Sequence, residues 1–324
     1  AREIRNRHIV IIADSRLHFL PFEILLRKIP EANPVNYRSL PYLIAEIPVS
    51  YAHSAMLLKK VYRTRKGWTN SLAAYAPEYD PEGQSPLLQA QTRQHYRDRL
   101  LPIPGALEEA HRIGKRLEGD VFTGSEATEK HFKDHAGKYD LIHLAMHTII
   151  DDTDPMFSKL VFTDLPENEE DGLLNTFEIY NLRLNARLTT LSSCNSGIGE
   201  LHEGEGMISL ARGFMYAGCP SLVLSLWEVE DLASADLMEY FYVGLKRGMS
   251  KARALQYAKL RYLRESDMLH SHPYFWSGYV VTGNHGPVYY GRRWIVVAGV
   301  LIALVMLFAL GRRRFNHRQK PDRF

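Results

Sequence analysis

Apolar runs of four to eight residues alternate along this chain with stretches of helical period. "RHIVIIAD" (residues 7–14) has the continuous apolar character of a buried strand, and "SLVLSLW" (221–227) repeats it. "LPFEILL" (20–26) and "SAMLLKKVY" (54–62) predict short amphipathic helices, and "YLIAEIPVSYA" (42–52) predicts one or two strands. The pattern lapses over 76–104, where "APEYDPEGQSP" is rich in turn residues, so a flexible excursion is expected there. Order returns with the helical "GALEEAHRIGKRL" (105–117), then a strand, a helix and the strand "YDLIHLAMH" (139–147). "KLVFTD" predicts a strand, "LLNTFEIYNLRL" (173–184) a helix, and "LTTLSS" a buried strand running into Cys194. The helix "GMISLARGFMYAG" precedes the 221–227 strand, and two long helices follow over 232–248 and 250–264. Strands alternating with helices over this length predict an α/β sandwich with a mostly parallel sheet.

The C-terminus breaks that pattern. "WIVVAGVLIALVMLFAL" (294–310) is apolar all round and carries no charge or Pro over 17 residues. A bilayer core needs about 20 helical residues, so this is a short membrane span. Tyr289, Tyr290 and Trp294 suit one interface, and arginines flank both ends. Six basic residues follow the span (Arg312, Arg313, Arg314, Arg318, Lys320 and Arg323) and two precede it (Arg292 and Arg293). The positive-inside rule then places the basic tail in the cytoplasm and the globular part outside, in a periplasm if the host is bacterial. Without an upstream signal peptide the span is instead a tail anchor on a cytoplasmic domain. The chain opens without Met and enters a strand at once, so further sequence is expected before it.

Charge changes the picture once the tail is set apart. The whole chain carries +3, but 292–324 holds eight basic residues and one acid, leaving 32 basic against 36 acidic residues in 1–291. The globular part is mildly acidic, which argues against a nucleic-acid surface. Two cysteines, Cys194 and Cys219, make no disulfide framework.

Three patterns compete for chemistry. In "HLAMH", His143 and His147 have a zinc-binding spacing only on a helix; in a strand they stand about 13 Å apart, and no carboxylate follows at helical spacing. "GIGELHEGEG" puts His202 where a dinucleotide-binding loop needs its third Gly. Neither a metal nor a cofactor is expected. The third pattern pairs His147, closing one apolar strand, with Cys194, closing another. Parallel neighbouring strands would bring both to one sheet edge, where open α/β sheets hold their ligands. An imidazole beside a thiol raises the thiolate fraction and later protonates a leaving amine, which is the chemistry of peptide hydrolysis. The alternative is a buried Cys and a buried His with no catalytic link.

"IHLAMH", "DPMFSKLVFTD", "DGLLNTFEIYNLRL", "TLSSCNSGIGE", "GEGMISLARGFMYAGCPSLVLSLWEVEDLASADLM" and "HPYFWSGYVVTG", in that order, resemble the CHAT domain over residues 7–283. This is a caspase-like cysteine peptidase domain related to separase and often attached to tetratricopeptide repeats. The resemblance implies a caspase-like α/β/α sandwich with a non-catalytic half over 1–104 and a catalytic half over 105–288; the membrane helix and tail read from the apolar run occupy 289–324. Repeats would lie upstream. It assigns the catalytic base to His147, the nucleophile to Cys194, and the oxyanion hole to the backbone N–H groups of Thr148 and Cys194. His143 is then a core histidine and Cys219 a packing one. The family usually has Gly where this chain has Thr148, whose β-branch disfavours positive φ. Separase-like relatives favour basic residues before the scissile bond. Asp231, with Glu230 as runner-up, would supply the carboxylate, unless Asp231 merely caps the helix that follows. Two functions follow: a membrane-anchored endopeptidase cleaving a protein or peptide substrate after Arg or Lys, and an idle scaffold at the membrane.

Overall fold

The computed structural model describes residues 7–29, 36–63, 70–79, 100, 102–151, 153–165, 169–192, 205–227, 229–289 and 306. The strands are β1 (Ile9–Ile11), β2 (Val49–Tyr51), β3 (Leu72–Ala76), β4 (Asp120–Thr123), β5 (Leu141–Leu144), β6 (Thr148–Ile149), β7 (Lys159–Val161), β8 (Leu173–Asn175), β9 (Leu188–Leu191), β10 (Ser221–Ser225) and β11 (Tyr279–Gly283). The helices are α1 (Ala55–Arg63), α2 (Pro104–Leu117), α3 (Glu129–His135), α4 (Thr176–Ile179), α5 (Glu205–Tyr216), α6 (Asp231–Lys246), α7 (Lys251–Glu265) and α8 (Pro273–Trp276).

Eight strands form one sheet in the order β1-β2-β11-β10-β9-β5-β3-β4, and β6, β7 and β8 form a small antiparallel sheet. From β10 to β4 every pairing is parallel. β11 runs antiparallel to β10, and β2 and β1 then follow β11 in parallel. Two parallel blocks thus meet at a single antiparallel junction.

Alternation along the strands builds the layers. In β10, Leu222 and Leu224 join a core on one face with Phe132, Ile179, Leu210 and Phe214, while Val223 joins a core on the other with Leu237, Phe241 and Leu255. In β5, Ile142 and Leu144 face the first core and Leu141 the second. Helices therefore cover both faces, as expected for a sheet that is apolar on both sides. On the second face α6 packs between α2 and α7.

The sequence pattern misplaces several elements. Residues 20–26 form only a 3-10 turn at Phe22–Ile24, and 42–52 begins with another at Leu43–Ala45 before β2. The helix expected over 173–184 is β8 followed by the single turn α4, which Asn175 and Glu178 start with a capping box. β3, a central strand with all five residues buried, lies where no strand is predicted. The excursion expected from residue 76 starts later, because Tyr79 is still core; 80–99 lie outside the described residues. So do 294–310 and the basic tail, apart from Met306, which is helical. Among the described residues no helix is long and apolar enough to cross a membrane.

Candidate active site

The register of β5 against β9 settles which strand ends are neighbours. His143 pairs with Thr190 and Leu144 with Leu191, in parallel, and the Ser192 N–H still donates to the Leu144 carbonyl at 2.9 Å. The two chains therefore leave the sheet side by side at its carboxyl edge. Cys194 lies two residues beyond Ser192 and falls outside the described residues, as do 193–204 and Glu228.

His147 is three residues past the end of β5 rather than its last residue, because the ladder ends at Leu144. It is 7% exposed. Its N–H donates to the Tyr79 hydroxyl at 2.9 Å, and that hydroxyl donates to the Val161 carbonyl at 2.8 Å. The Tyr79 ring lies 4.6 Å from the imidazole, and the His147 carbonyl accepts from Val161 at 3.0 Å. Backbone bonds on both sides thus hold the imidazole at the sheet edge. Thr148 opens β6 and is fully buried. Only Asn70 and Glu118 combine a side chain with positive φ among the described residues, so Thr148 carries no such strain.

His143 has different neighbours. It is fully buried, with Nε2 2.9 Å from Glu109 Oε1 and Nδ1 3.2 Å from the Tyr242 hydroxyl, which itself lies 2.9 Å from Thr190 Oγ1. It is a core histidine beside a core carboxylate. Cys219 is buried too: its thiol donates to the Ser221 carbonyl at 3.1 Å and accepts from Thr189 at 3.3 Å.

The two candidate pocket carboxylates separate. Glu230 is the N-cap of α6, accepting from the Ala233 N–H at 2.9 Å. Asp231 is the first residue of that helix, so it does not cap it. Its carboxylate instead accepts from the Gly105 N–H, in the first turn of α2. Burial raises its pKa from the ordinary value, and the Gly105 bond opposes that shift. Gly105 permits the approach, since a methyl there would overlap the Asp231 Cβ. Asp231 borders a narrow recess with Gly105, Glu109, Ser192 and Ser234.

Glu109 is the residue that sequence reasoning misses. It is 2% exposed and accepts from Ser234 Oγ at 2.7 Å. The signal was present: it lies three residues after Ala106 and four before Ile113, on the buried stripe of α2. Ser234 and Ser192 share the Tyr279 hydroxyl at 2.6 and 2.7 Å. Elsewhere Glu129, Glu170 and Glu178 converge closely enough to hold a metal. The cation among them is Lys133, whose Nζ lies 2.7 to 2.8 Å from all three.

Comparison with known proteins gives this geometry a family. Two curated relatives, both named tetratricopeptide repeat protein 28, are 26% identical (Mus musculus) and 25% identical (Homo sapiens) over 86% of this chain. The chain spans 12% of their length. Among solved structures, separase in a Saccharomyces cerevisiae separase–securin complex is similar over 86% of this chain and 15% of its own. It has 15% identity and a TM-score of 0.47. The Arg-specific cysteine proteinase gingipain R is similar over 74% of this chain and 54% of its own, at 10% identity and a TM-score of 0.44. The CHAT domain family model matches residues 1–284, and the chain belongs to the CHAT domain family.

Proposed function

We propose that this chain is a cysteine endopeptidase module in which His147 and Cys194 act as a dyad. What supports this reading is the parallel β5–β9 register, in which Leu144 and Ser192, the described residues that lead toward His147 and Cys194, leave the sheet at the same carboxyl edge. In this reading His147 takes the thiol proton, the thiolate attacks the scissile carbonyl, and the imidazolium protonates the departing amine. The backbone N–H groups of Thr148 and Cys194 would face the developing oxyanion. Asp231 would receive a basic side chain before the scissile bond. The span at 294–310 would anchor the domain to a membrane, with the basic tail in the cytoplasm, and tetratricopeptide repeats would precede it. Protease accessibility in spheroplasts tests that orientation, since an outward domain is digested and a tail-anchored one is protected.

The test of the chemistry is a fluorogenic peptide library. Cys194→Ala should abolish hydrolysis while the melting temperature is kept, and chelators should have no effect. Full activity in Cys194→Ala, or dependence on zinc, contradicts the reading. The second reading, an idle scaffold that binds protein partners, draws on Thr148, which is fully buried where the family usually has Gly. It predicts no hydrolysis of any library member.

A further inference from the structure

The described chain ends at the edge of the sheet opposite the candidate active site. β11 runs antiparallel to β10, so Gly283 pairs with Ser221, the first residue of β10. Further on, the Val288 carbonyl accepts from Arg187 at 2.6 Å, and Arg187 immediately precedes β9. Val288 and Tyr289 therefore lie at the amino edge of the parallel strands. Ser192 leaves β9 at the carboxyl edge, and the five residues of β10 alone put about 17 Å between the two edges. Trp294, which opens the apolar run, follows Tyr289 by five residues, a reach of at most about 18 Å.

The surface around this exit is basic, although residues 1–291 are acidic as a whole. Asn185 donates to the Gly137 carbonyl at 2.7 Å, and the Leu184 N–H donates to the Ala217 carbonyl at 2.8 Å. These bonds bring the segments of Lys138, Arg183 and Tyr216 together on the edge that carries the exit. All three residues are exposed, Tyr216 at 72%, and its ring lies 5.2 Å from that of Tyr180. On the other layer Lys246 ends α6 and Arg247 caps it, both exposed, and Lys246 donates to the Arg116 carbonyl at 2.8 Å.

The acids of this edge are engaged. Glu118 lies 3.6 Å from Lys246, Asp134 3.3 Å from Lys130 and Asp140 3.4 Å from Arg187, and Asp120 accepts from Tyr139 at 2.8 Å. Among the described residues Lys138 and Arg183 form no ion pair. A cation at a helix end answers the helix dipole, which accounts for Lys246. It does not account for Arg183, in the loop into β9, or for an exposed tyrosine beside it.

We propose that this amino edge is a docking face for an anionic bilayer, with Lys138, Arg183, Lys246 and Arg247 on lipid phosphates and Tyr216 at the interface. The exit toward an apolar run selects a bilayer over a soluble polyanion. The proposal rests on the reading of 294–310 as a membrane span, which would keep the face within reach of the headgroups. The carboxyl edge then points away from the bilayer, so the dyad would act on segments held clear of the membrane surface.

The full chain bearing Cys194→Ala is labelled with a fluorophore through Lys115→Cys, in the last turn of α2 on the docking edge, or through Met268→Cys, past the carboxyl end of α7. Cys219 is buried and stays unlabelled. Each protein is reconstituted into phosphatidylcholine vesicles and into mixed phosphatidylcholine–phosphatidylglycerol vesicles, both carrying a headgroup spin label. The Lys115→Cys probe should be quenched about twofold or more in the mixed vesicles, and the Met268→Cys probe should not. Raised salt should release that quenching, and so should Lys138→Glu combined with Arg183→Glu at an unchanged melting temperature.

Equal signals at the two positions, or quenching indifferent to phosphatidylglycerol, salt and the two charge reversals, would overturn the proposal. If the charge-reversed chain does not fold, the salt series on the parent decides. Alkaline carbonate extraction separates the span from the face. A chain that resists extraction but shows no phosphatidylglycerol-dependent quenching keeps the span and loses this inference. A chain that carbonate strips, yet floats with mixed vesicles until salt or the charge reversals release it, loses the span and keeps this inference.

Discussion

Among the described residues two fully buried acid–base pairs stand in different surroundings. Lys259 is fully buried, with Nζ 3.1 Å from Glu23 Oε1 and 3.2 Å from the Ser277 carbonyl. Glu23 also accepts from the Tyr51 hydroxyl, which accepts in turn from the Phe22 N–H at 2.8 Å. These partners are all interior, and they tie a turn near the N-terminus to α7. Burial lowers the Lys259 pKa and Glu23 partly offsets it. The Glu109–His143 pair is as deeply buried, but its hydrogen bonds lead through Ser234 and Ser192 to a recess. A buried charge whose partners all lie inside stabilises one packing arrangement. The Glu109 contacts instead run from the interior to a concave surface.

The largest effect should come from breaking the closed pair. Glu23→Ala or Lys259→Ala strands a buried charge and is expected to cost about 3–5 kcal/mol in chemical denaturation. The volume-matched double variant Glu23→Leu with Lys259→Met should recover most of it, because an apolar replacement of a buried pair is often near neutral. Arginine preference should survive in that double variant. A single-variant loss below about 1 kcal/mol would mean the pair carries no stranded charge and the contrast fails.

Gly105→Ala comes next and sharpens the other side. The added methyl overlaps Asp231, so overpacking should cost about 1–3 kcal/mol and displace the rim carboxylate. Arginine preference should fall with it, whereas Glu230→Ala, which removes only a helix cap, should cost about 1 kcal/mol and leave preference alone. Equal loss of preference in both variants would remove the distinction between rim and cap.

Tyr79→Phe deletes a hydroxyl that donates to Val161 and accepts from His147. Two buried hydrogen bonds suggest a loss of about 1–3 kcal/mol. Turnover should fall through a loosened His147 while arginine preference is kept, since Tyr79 lies outside the Glu109 network.

A pH dependence lies outside both pairs and leaves the contrast between them untouched. Burial, reinforced by nearby Arg212 and His18, holds His53 at about 4, and burial with His8 and Lys251 holds His285 at about 4. Both have an ordinary value of 6.5 in the unfolded chain. Between these values the unfolded state binds more protons, so stability should fall as pH drops from about 6.5 to about 4 and level off below. Urea midpoints across that window check the sign, and a midpoint that rises on acidification contradicts it.

How much of this was legible in the sequence depends on how local each signal is. β9, β10, α6 and α7 follow from periodicity, and β5 leading toward His147 from its apolar run, although the ladder stops at Leu144; Cys194 lies outside the described residues. β3 escaped because "LAAYA" has no β-branched residue; its small side chains matter for what they admit, since Ala74 and Ala76 pack against Ala110 of α2. β8 and α4 look like one helix in the sequence because their joint apolar pattern masks the capping box at Asn175. The Glu109 network was illegible for a different reason. Glu109, Ser192, Ser234 and Tyr279 are far apart in sequence and meet only once the sheet order is known.

The central claim, that His147 activates Cys194, is tested most directly by a thiol-reactive peptide probe with Arg at its reactive end, read out by mass spectrometry of the intact fold. Cys194 should be labelled and the buried Cys219 should not, and the label should be lost in His147→Ala at an unchanged melting temperature. Labelling of Cys194 that persists without His147, or no labelling of Cys194 in the parent chain, would contradict it.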